Sequence, residues 1–199
     1  MCCGFREASL VELPSGFEGG IQYIMRPTNP ISILLLLALL AVTGTARSQS
    51  VNEYQVKAVF IYNFTQFIQW PEESFETPQD PFIIGVLGEN VFGKYLEEAV
   101  AGETYQSRPI VIQYYKSARD LGKCHILYVG SSTPRLRPVG KGPVLTVGES
   151  AEFMDQKGLM RFYQEGNKIR IEINQSAASA AGLVISSKLL RLAAIYQGK

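Results

Sequence analysis

The sequence predicts an α/β domain of three layers, with a mainly parallel sheet flanked by helices and an antiparallel C-terminal hairpin at the edge. Between residues 51 and 156, apolar runs of strand length alternate with segments of helical periodicity. This alternation is typical of parallel strands joined by crossover helices. Near the end of the chain the apolar period changes to two, which predicts a hairpin. The composition, 46% hydrophobic and 19% charged residues, is that of a globular protein.

The first predicted element is a helix over residues 51–70, ended by Pro71. Its apolar residues recur at spacings of three and four, which gives one wide apolar face. Four residues lie on the opposite face and are expected to meet water: Glu53, Lys57, Asn63 and Gln66.

The middle of the chain supplies the predicted parallel sheet. Strands are predicted over residues 82–87, 109–115, 125–129 and 144–147, with helices over 89–101 and 149–156 and a short helical turn over 117–122. The Ser, Thr, Pro, Gly and Arg residues of 130–143 predict an exposed loop.

The predicted hairpin pairs residues 159–164 with 168–174. Isoleucines at 169, 171 and 173 alternate with Arg170 and Glu172, so one face of the hairpin is expected to be wet. A final helix is predicted over residues 176–196, capped by Asn174 or Ser176.

The N-terminal region predicts export. The apolar run 31–42 follows Met25 and Arg26 and precedes small residues, which is typical of a secretory signal peptide over residues 25–46. An uncleaved anchor is the alternative, although a membrane span needs roughly 17–25 apolar residues. Residues 1–24 are interpreted as a non-native extension ahead of the true start at Met25. The mature domain is then 47–199, and its expected location is the periplasm.

Charge and residue spacing argue against several function classes. The net charge of +1 lacks the basic excess of a nucleic-acid-binding protein. Residues 88–95 approach the spacing of a phosphate-binding loop but end in Tyr95, which lacks the short hydroxyl that binds magnesium. His125, the only histidine, adjoins Cys124 in a predicted strand, so their side chains point to opposite faces. No catalytic residue, cofactor or metal ligand set is therefore expected, and the lone Cys124 of the mature chain is interpreted as a core residue.

Four segments together resemble the YfiR family of exported bacterial proteins. They are Tyr54-Gln-Val-Lys-Ala-Val-Phe-Ile-Tyr-Asn-Phe64 with Trp70-Pro71, Ile84-Gly-Val-Leu-Gly88, Lys168-Ile-Arg-Ile-Glu-Ile-Asn174, and Gly182-Leu-Val-Ile-Ser-Ser-Lys-Leu-Leu-Arg-Leu-Ala193. Their order and spacing span nearly all of the mature chain. The resemblance implies a periplasmic regulator that represses an inner-membrane diguanylate cyclase by binding its periplasmic region, with an outer-membrane lipoprotein as a further partner.

The resemblance also selects individual residues. Eight positions match the family pattern and are expected to be architectural: Lys57, Phe64, Trp70, Pro71, Gly88, Asn174, Ser186 and Leu190. The basic residues of the exposed loop, Arg135, Arg137 and Lys141, are the predicted partner contact, with a merely solvated loop as the alternative.

Two further questions stay open. A homodimer is compatible with the sequence. The rival function is the binding of a small molecule in the cleft at the carboxyl ends of the strands that finish at Leu87, Tyr115 and Val129, where open parallel sheets bind ligands.

Overall fold

Five α-helices and ten strands form within residues 53–131 and 142–198, which a computed structural model of the chain describes. The helices are α1 (Glu53–Phe67), α2 (Tyr95–Val100), α3 (Ala151–Asp155), α4 (Gln175–Ala180) and α5 (Ser187–Leu192). The strands are β1 (Ile68–Gln69), β2 (Phe82–Leu87), β3 (Thr104–Tyr105), β4 (Arg108–Tyr115), β5 (Ile126–Val129), β6 (Leu145–Gly148), β7 (Met160–Glu165), β8 (Lys168–Ile173), β9 (Val184–Ile185) and β10 (Ala194–Ile195).

Eight of these strands form one sheet in the order β10-β8-β7-β6-β5-β2-β4-β3. Strands β4, β2, β5, β6 and β7 run parallel to one another. Strand β3 pairs antiparallel with β4, and β7 and β8 form the antiparallel hairpin. The predicted α/β class with a mainly parallel sheet is confirmed. The hairpin is one strand further in than predicted, because β10 pairs with the outer side of β8.

Helix α1 packs its apolar face on the sheet. Ala58, Ile61 and Phe64 are fully buried, as the spacing predicts. The helix ends at Phe67 rather than at residue 70, because Ile68 and Gln69 pair with Ile185 and Val184 as a small separate sheet.

The connecting helices are shorter than predicted. Helix α2 begins only at Tyr95, because Gly93 takes a left-handed conformation (φ +56°) in the turn before it. Residues 117–122 form a hydrogen-bonded turn in place of a helical one: the Asp120 N–H donates to the Ser117 carbonyl, and the Ser117 hydroxyl donates to the Asp120 carboxylate.

The prediction of a single C-terminal helix over residues 176–196 is wrong. Helix α4 ends at Ala180 because Gly182 adopts φ +79° and closes a Schellman motif. In this motif the Leu183 N–H donates to the Ala178 carbonyl and the Gly182 N–H to the Ser179 carbonyl. The chain then forms β9, α5 and β10 in succession.

The hairpin shows the predicted wet face. Ile171 and Ile173 are buried against the core, whereas Arg170 is exposed. On the wet face Arg161 of β7 pairs with Glu172 of β8, with Nε and Oε2 2.5 Å apart.

Candidate functional site

A buried lysine forms the centre of a polar cluster in the described fold. Lys57 lies on the face of α1 that was predicted to meet water, yet it is only 2% exposed, so that prediction is wrong. Its Nζ donates to Oε1 of Glu149 at 2.6 Å and contacts Oε1 of Glu53, one helical turn earlier, at 2.5 Å. The Tyr128 hydroxyl donates to the same Glu149 oxygen at 2.5 Å. We refer to Lys57, Glu53, Glu149 and Tyr128 as the lysine network.

The lysine network lies at the carboxyl end of the parallel strands. Tyr128 belongs to the end of β5, and Glu149 directly follows β6. Because α1 runs down from this end, Lys57 joins the start of the helix to two neighbouring strands. The network therefore fixes the position of α1 on the sheet at the sheet edge where open α/β folds commonly bind ligands.

The electrostatics of the network keep Lys57 charged and Tyr128 protonated. Burial alone would lower the pKa of Lys57, but its hydrogen bonds and charge interactions with Glu149 and Glu53 outweigh that effect and raise it. Burial, followed by the hydrogen bond to Glu149, raises the pKa of Tyr128. Lys57 is thus a permanent cation and Tyr128 a permanent hydroxyl donor at physiological pH, and neither is poised to act as a base.

Aromatic rings close the network on its apolar side. Phe92 is fully buried and packs edge-on against Tyr128, with ring centroids 4.7 Å apart, and against Tyr54 at 5.8 Å. Phe92 belongs to the segment that approaches a phosphate-binding loop in spacing. In that segment Lys94 points outward to Glu98 at 2.8 Å, so Phe92 contributes to the core and Lys94 to a surface ion pair.

A second cluster, at the amino end of the sheet, surrounds Trp70. Its indole N–H donates to the His125 carbonyl at 3.1 Å, and its backbone N–H donates to the Tyr105 hydroxyl at 3.2 Å. The indole also packs edge-on against Phe82 and Tyr105, with centroid distances of 4.8 and 5.6 Å. The segment after α1 is thereby fastened to the starts of β2 and β5 and to β3.

His125 and Cys124 are held in unreactive states. Both His125 ring nitrogens are engaged: Nδ1 accepts from the Ile83 N–H at 2.9 Å, and Nε2 lies 3.2 Å from the Ser74 carbonyl. This arrangement selects the neutral ring with its proton on Nε2. Cys124 is buried and unpaired, and burial raises its pKa to about 11, so it is a thiol rather than a nucleophilic thiolate.

We expect His125 to make the fold sensitive to mild acid. Burial first, and then the charges of Lys123 and Arg108, lower its pKa below the ordinary 6.5, against the opposing effect of the Ser74 contact. The unfolded chain binds a proton at His125 more readily than the folded protein does. The stability that neutral His125 contributes is therefore complete above pH 6.5, and it is lost as the pH falls towards the pKa of His125 in the folded state. The free energy of unfolding should fall by up to about 1.4 kcal/mol per pH unit in that window.

Urea denaturation between pH 7 and 5.5 measures this effect, with His125→Asn as the matched variant. The asparagine oxygen can still accept from Ile83, but it does not titrate. We expect this variant to be less stable at pH 7 and to lack the extra slope. Equal slopes in the two proteins would refute the assignment, since His125 is the only histidine of the chain.

The other family-pattern positions lie in the framework of the fold. Phe64 stacks on Phe162 of β7, with centroids 6.0 Å apart. Gly88 follows β2 with φ +100°, a conformation that favours glycine, and its N–H donates to the Tyr115 carbonyl. Pro71 is half-buried and precedes a short 3₁₀ turn, Glu72–Ser74.

Three further positions shape the C-terminal segment. Asn174 accepts from the Ala177 N–H at 3.0 Å and caps α4. Ser186 caps α5, and its N–H donates to the Phe67 carbonyl, which ties this segment to the end of α1. Leu190 is half-buried against the core. None of these positions joins the lysine network, so of the eight only Lys57 belongs to it.

The structure describes the strand ends of the predicted ligand cleft but not the residues of the predicted partner contact. Arg135, Arg137 and Lys141 lie outside the described residues. At the carboxyl ends of the strands, Leu87, Tyr115 and Val129 are buried together with Leu127 and Cys124 in a second apolar cluster.

Within the described ranges, no group of three or more His, Cys, Asp or Glu side chains could hold a metal ion. In the same part of the chain no helix is long and apolar enough to cross a membrane.

Comparison with protein families identifies the chain. Residues 54–194, well over half of the sequence, match the family described as YfiR/HmsC-like. The chain belongs to the YfiR/HmsC-like family. The resemblance seen in the sequence is thereby confirmed, and the match begins at Tyr54 and ends at Ala194, so it includes both the lysine network from Lys57 onward and the Trp70 cluster.

Other comparisons with this YfiR/HmsC-like protein are distant. No curated protein matches its sequence. The ABC domain in complex with L-Trp from Streptococcus pneumonia shares 12% identity and a TM-score of 0.39, over 57% of this chain and 54% of that one. A conserved domain protein from Vibrio cholerae O1 biovar eltor str. N16961 shares 10% identity and a TM-score of 0.44, over 72% of this chain and 60% of that one. At these values neither likeness carries a conclusion about fold or ligand.

Little in the sequence indicates the lysine network. Glu149 is 92 residues from Lys57, and its place after a strand was interpreted only as favourable charge at the start of a helix. The available signal is Lys57 itself, which is spaced three residues from Tyr54 and four from Ile61 on the apolar face of the helix.

Proposed function

We propose that this protein is a periplasmic, non-enzymatic regulator that represses an inner-membrane diguanylate cyclase by binding its periplasmic region. The observation that carries the proposal is membership of the YfiR/HmsC-like family over residues 54–194. The signal peptide expected over residues 25–46 supports the periplasmic location. An outer-membrane lipoprotein that sequesters the repressor completes the proposed set of partners.

The state of the titratable groups agrees with a binding role. Lys57 is held as a cation, Cys124 as a thiol and His125 as a neutral ring with both nitrogens engaged. Cys124 and His125 are the nucleophile and base that the sequence analysis considers, and both are held in unreactive states within the fold. The proposal therefore needs no chemical step of the protein's own.

The proposed mechanism is a shift of population. A repressor that binds the inactive cyclase more tightly than the active one lowers activity by the ratio of the two affinities. Sequestration of the repressor returns the cyclase to its active state. The basic residues Arg135, Arg137 and Lys141 are proposed to contact the cyclase.

Deletion of the gene tests the proposal. We expect cellular cyclic di-GMP to rise severalfold and biofilm formation to increase with it. A plasmid that encodes the whole chain should restore the low level, whereas a version without residues 25–46, retained in the cytoplasm, should not. An unchanged cyclic di-GMP level in the deletion strain would refute repression, and restoration by the version without the signal would refute the periplasmic location.

A further inference from the structure

Residues 71–81, which lead into β2, lie over the amino end of the sheet, and we refer to them as the strap. His125 holds the middle of the strap with its ring. Its Nε2–H donates to the Ser74 carbonyl at 3.2 Å, and the Phe75 ring stacks on the imidazole with centroids 4.6 Å apart. On its other face the imidazole stacks on the fully buried Phe82 of β2, at 4.7 Å. The imidazole therefore lies between the sheet on one side and the strap on the other.

A second proton on the imidazole is incompatible with this arrangement. Nδ1 accepts from the Ile83 N–H at 2.9 Å, so a proton placed on Nδ1 would face another donor. Ile83 is held in the sheet, because its carbonyl accepts from the His125 N–H at 2.8 Å and the residue pairs with Val111 of β4. A protonated ring therefore has to move towards Phe75, which is half-buried, and away from the sheet.

The cations around the ring oppose a positive imidazolium. The Arg108 guanidinium lies 4.0 Å from the centroid of Phe75, so this ring already holds one cation. Burial, and then the charges of Lys123 and Arg108, lower the pKa of the imidazole. Two carboxylates of the strap, Glu76 and Asp80, pair with Lys123 at 3.1 and 3.8 Å.

The two parts of the strap are held by different groups. Arg108 fastens the later part, since its Nη1 donates to the carbonyls of Thr77 and Asp80 at 2.7 and 3.0 Å. The earlier part depends on His125. Within the described residues the buried Ser74 hydroxyl has no hydrogen-bond partner, so release of this part would let water satisfy it.

We propose that the strap is an acid-sensitive cover: protonation of His125 releases residues 71–76 and uncovers the rings of Phe82 and Tyr105, while the sheet stays folded. Phe75 stacks on Tyr105 as well as on the imidazole, so its departure exposes both rings. The sheet is kept because the His125 carbonyl accepts from the Leu145 N–H through the backbone alone. In an exported protein, the pH of the surroundings then sets which surface a partner meets.

Nuclear magnetic resonance and hydrogen exchange of the untagged protein test the proposal together. His125 is the only histidine, so a single ring signal reports its protonation. Hydrogen exchange, corrected for the intrinsic effect of pH, is followed in a peptide that covers residues 71–76 and in the hairpin 160–173 as reference. Between pH 7.5 and 4.5 we expect exchange over 71–76 to rise at least tenfold, with the midpoint of the His125 signal and an unchanged hairpin. A strap that stays protected at pH 4.5, or that loses protection together with the hairpin, would overturn the proposal.

Three variants assign the transition to His125. His125→Asn should show strap exchange without a pH-dependent transition. Lys123→Gln removes a cation beside the ring and should move the midpoint to higher pH. Glu76→Gln is the matched control, because Glu76 lies on the strap with a side chain 81% exposed, and it should keep the transition. The same transition in His125→Asn, its loss in Glu76→Gln or an unmoved midpoint in Lys123→Gln would each refute the assignment. All of these measurements use the isolated protein, so their outcome is independent of cyclase repression.

Discussion

Replacement of Lys57 by methionine should lower the free energy of unfolding by about 3 kcal/mol, the cost of breaking a buried ion pair by removing one partner. The Lys57 side chain is 3% exposed and that of Glu149 only 21%, so Glu149 would keep its charge with little water to solvate it. Tyr128 would remain as its hydrogen-bond donor. Urea denaturation followed by the fluorescence of Trp70, the only tryptophan, measures the effect.

Two variants separate the ion pair from the loss of a lysine as such. Lys94→Met removes a lysine whose side chain is 76% exposed and paired with Glu98 on the same helix turn, and it should unfold close to the wild-type urea concentration. Adding Glu149→Gln to Lys57→Met removes the stranded charge and should recover part of the loss. If Lys57→Met unfolds like Lys94→Met, the lysine network does not fix α1 on the sheet.

Replacement of Trp70 by alanine should cost about 3–5 kcal/mol, since it removes a large buried side chain and leaves a cavity. Trp70 is 5% exposed and contacts Phe82 and Tyr105 through its ring. The loss would loosen the segment between α1 and β2. Chemical denaturation followed by circular dichroism measures it, because the variant lacks the fluorescent residue.

Trp70→Phe is the graded control. It keeps an aromatic ring in the cluster but loses the indole N–H bond to the His125 carbonyl. That carbonyl also accepts from the Leu145 N–H at 2.8 Å, so it is not left unpaired in the variant. The lost indole hydrogen bond should therefore lower the free energy of unfolding by only about 1 kcal/mol. A phenylalanine variant as unstable as the alanine variant would assign the effect to the hydrogen bond rather than to packing.

The elements that could be predicted from the sequence are those whose own residues carry the pattern. Buried strands such as β2 and β5 are short continuous apolar runs, and α1 shows its apolar face directly in the spacing of Ala58, Ile61 and Phe64. The hairpin is indicated by the alternation of apolar and charged residues around Ile171. In each of these cases the local pattern and the tertiary packing agree.

The elements that were missed depend on partners distant in the chain. Strands β1, β9 and β10 have two residues each and exist only because another segment pairs with them, so no periodicity marks them. The break at Gly182 had a local signal, a glycine between two apolar stretches and a serine cap four residues later, but the small residues around it also suit one continuous helix.

The candidate site was predictable only in part, for the same reason. Lys57 was singled out by resemblance, whereas its burial follows from Glu149 and Tyr128, which lie at the ends of two neighbouring strands. A lysine on a helix is normally exposed, and only the presence of a buried carboxylate changes that expectation. The pairing of this lysine with the carboxyl ends of β5 and β6 therefore had to come from the structure.

The level of cyclic di-GMP in spheroplasts tests the proposed repression from the periplasmic side. Spheroplasts of the deletion strain have lost their periplasm but keep the cyclase in the inner membrane. Purified protein added outside should lower their cyclic di-GMP in a dose-dependent and saturable way, because it reaches only the periplasmic region of the cyclase. A cyclic di-GMP level that does not change at any concentration of the added, folded protein would contradict repression from the periplasmic side.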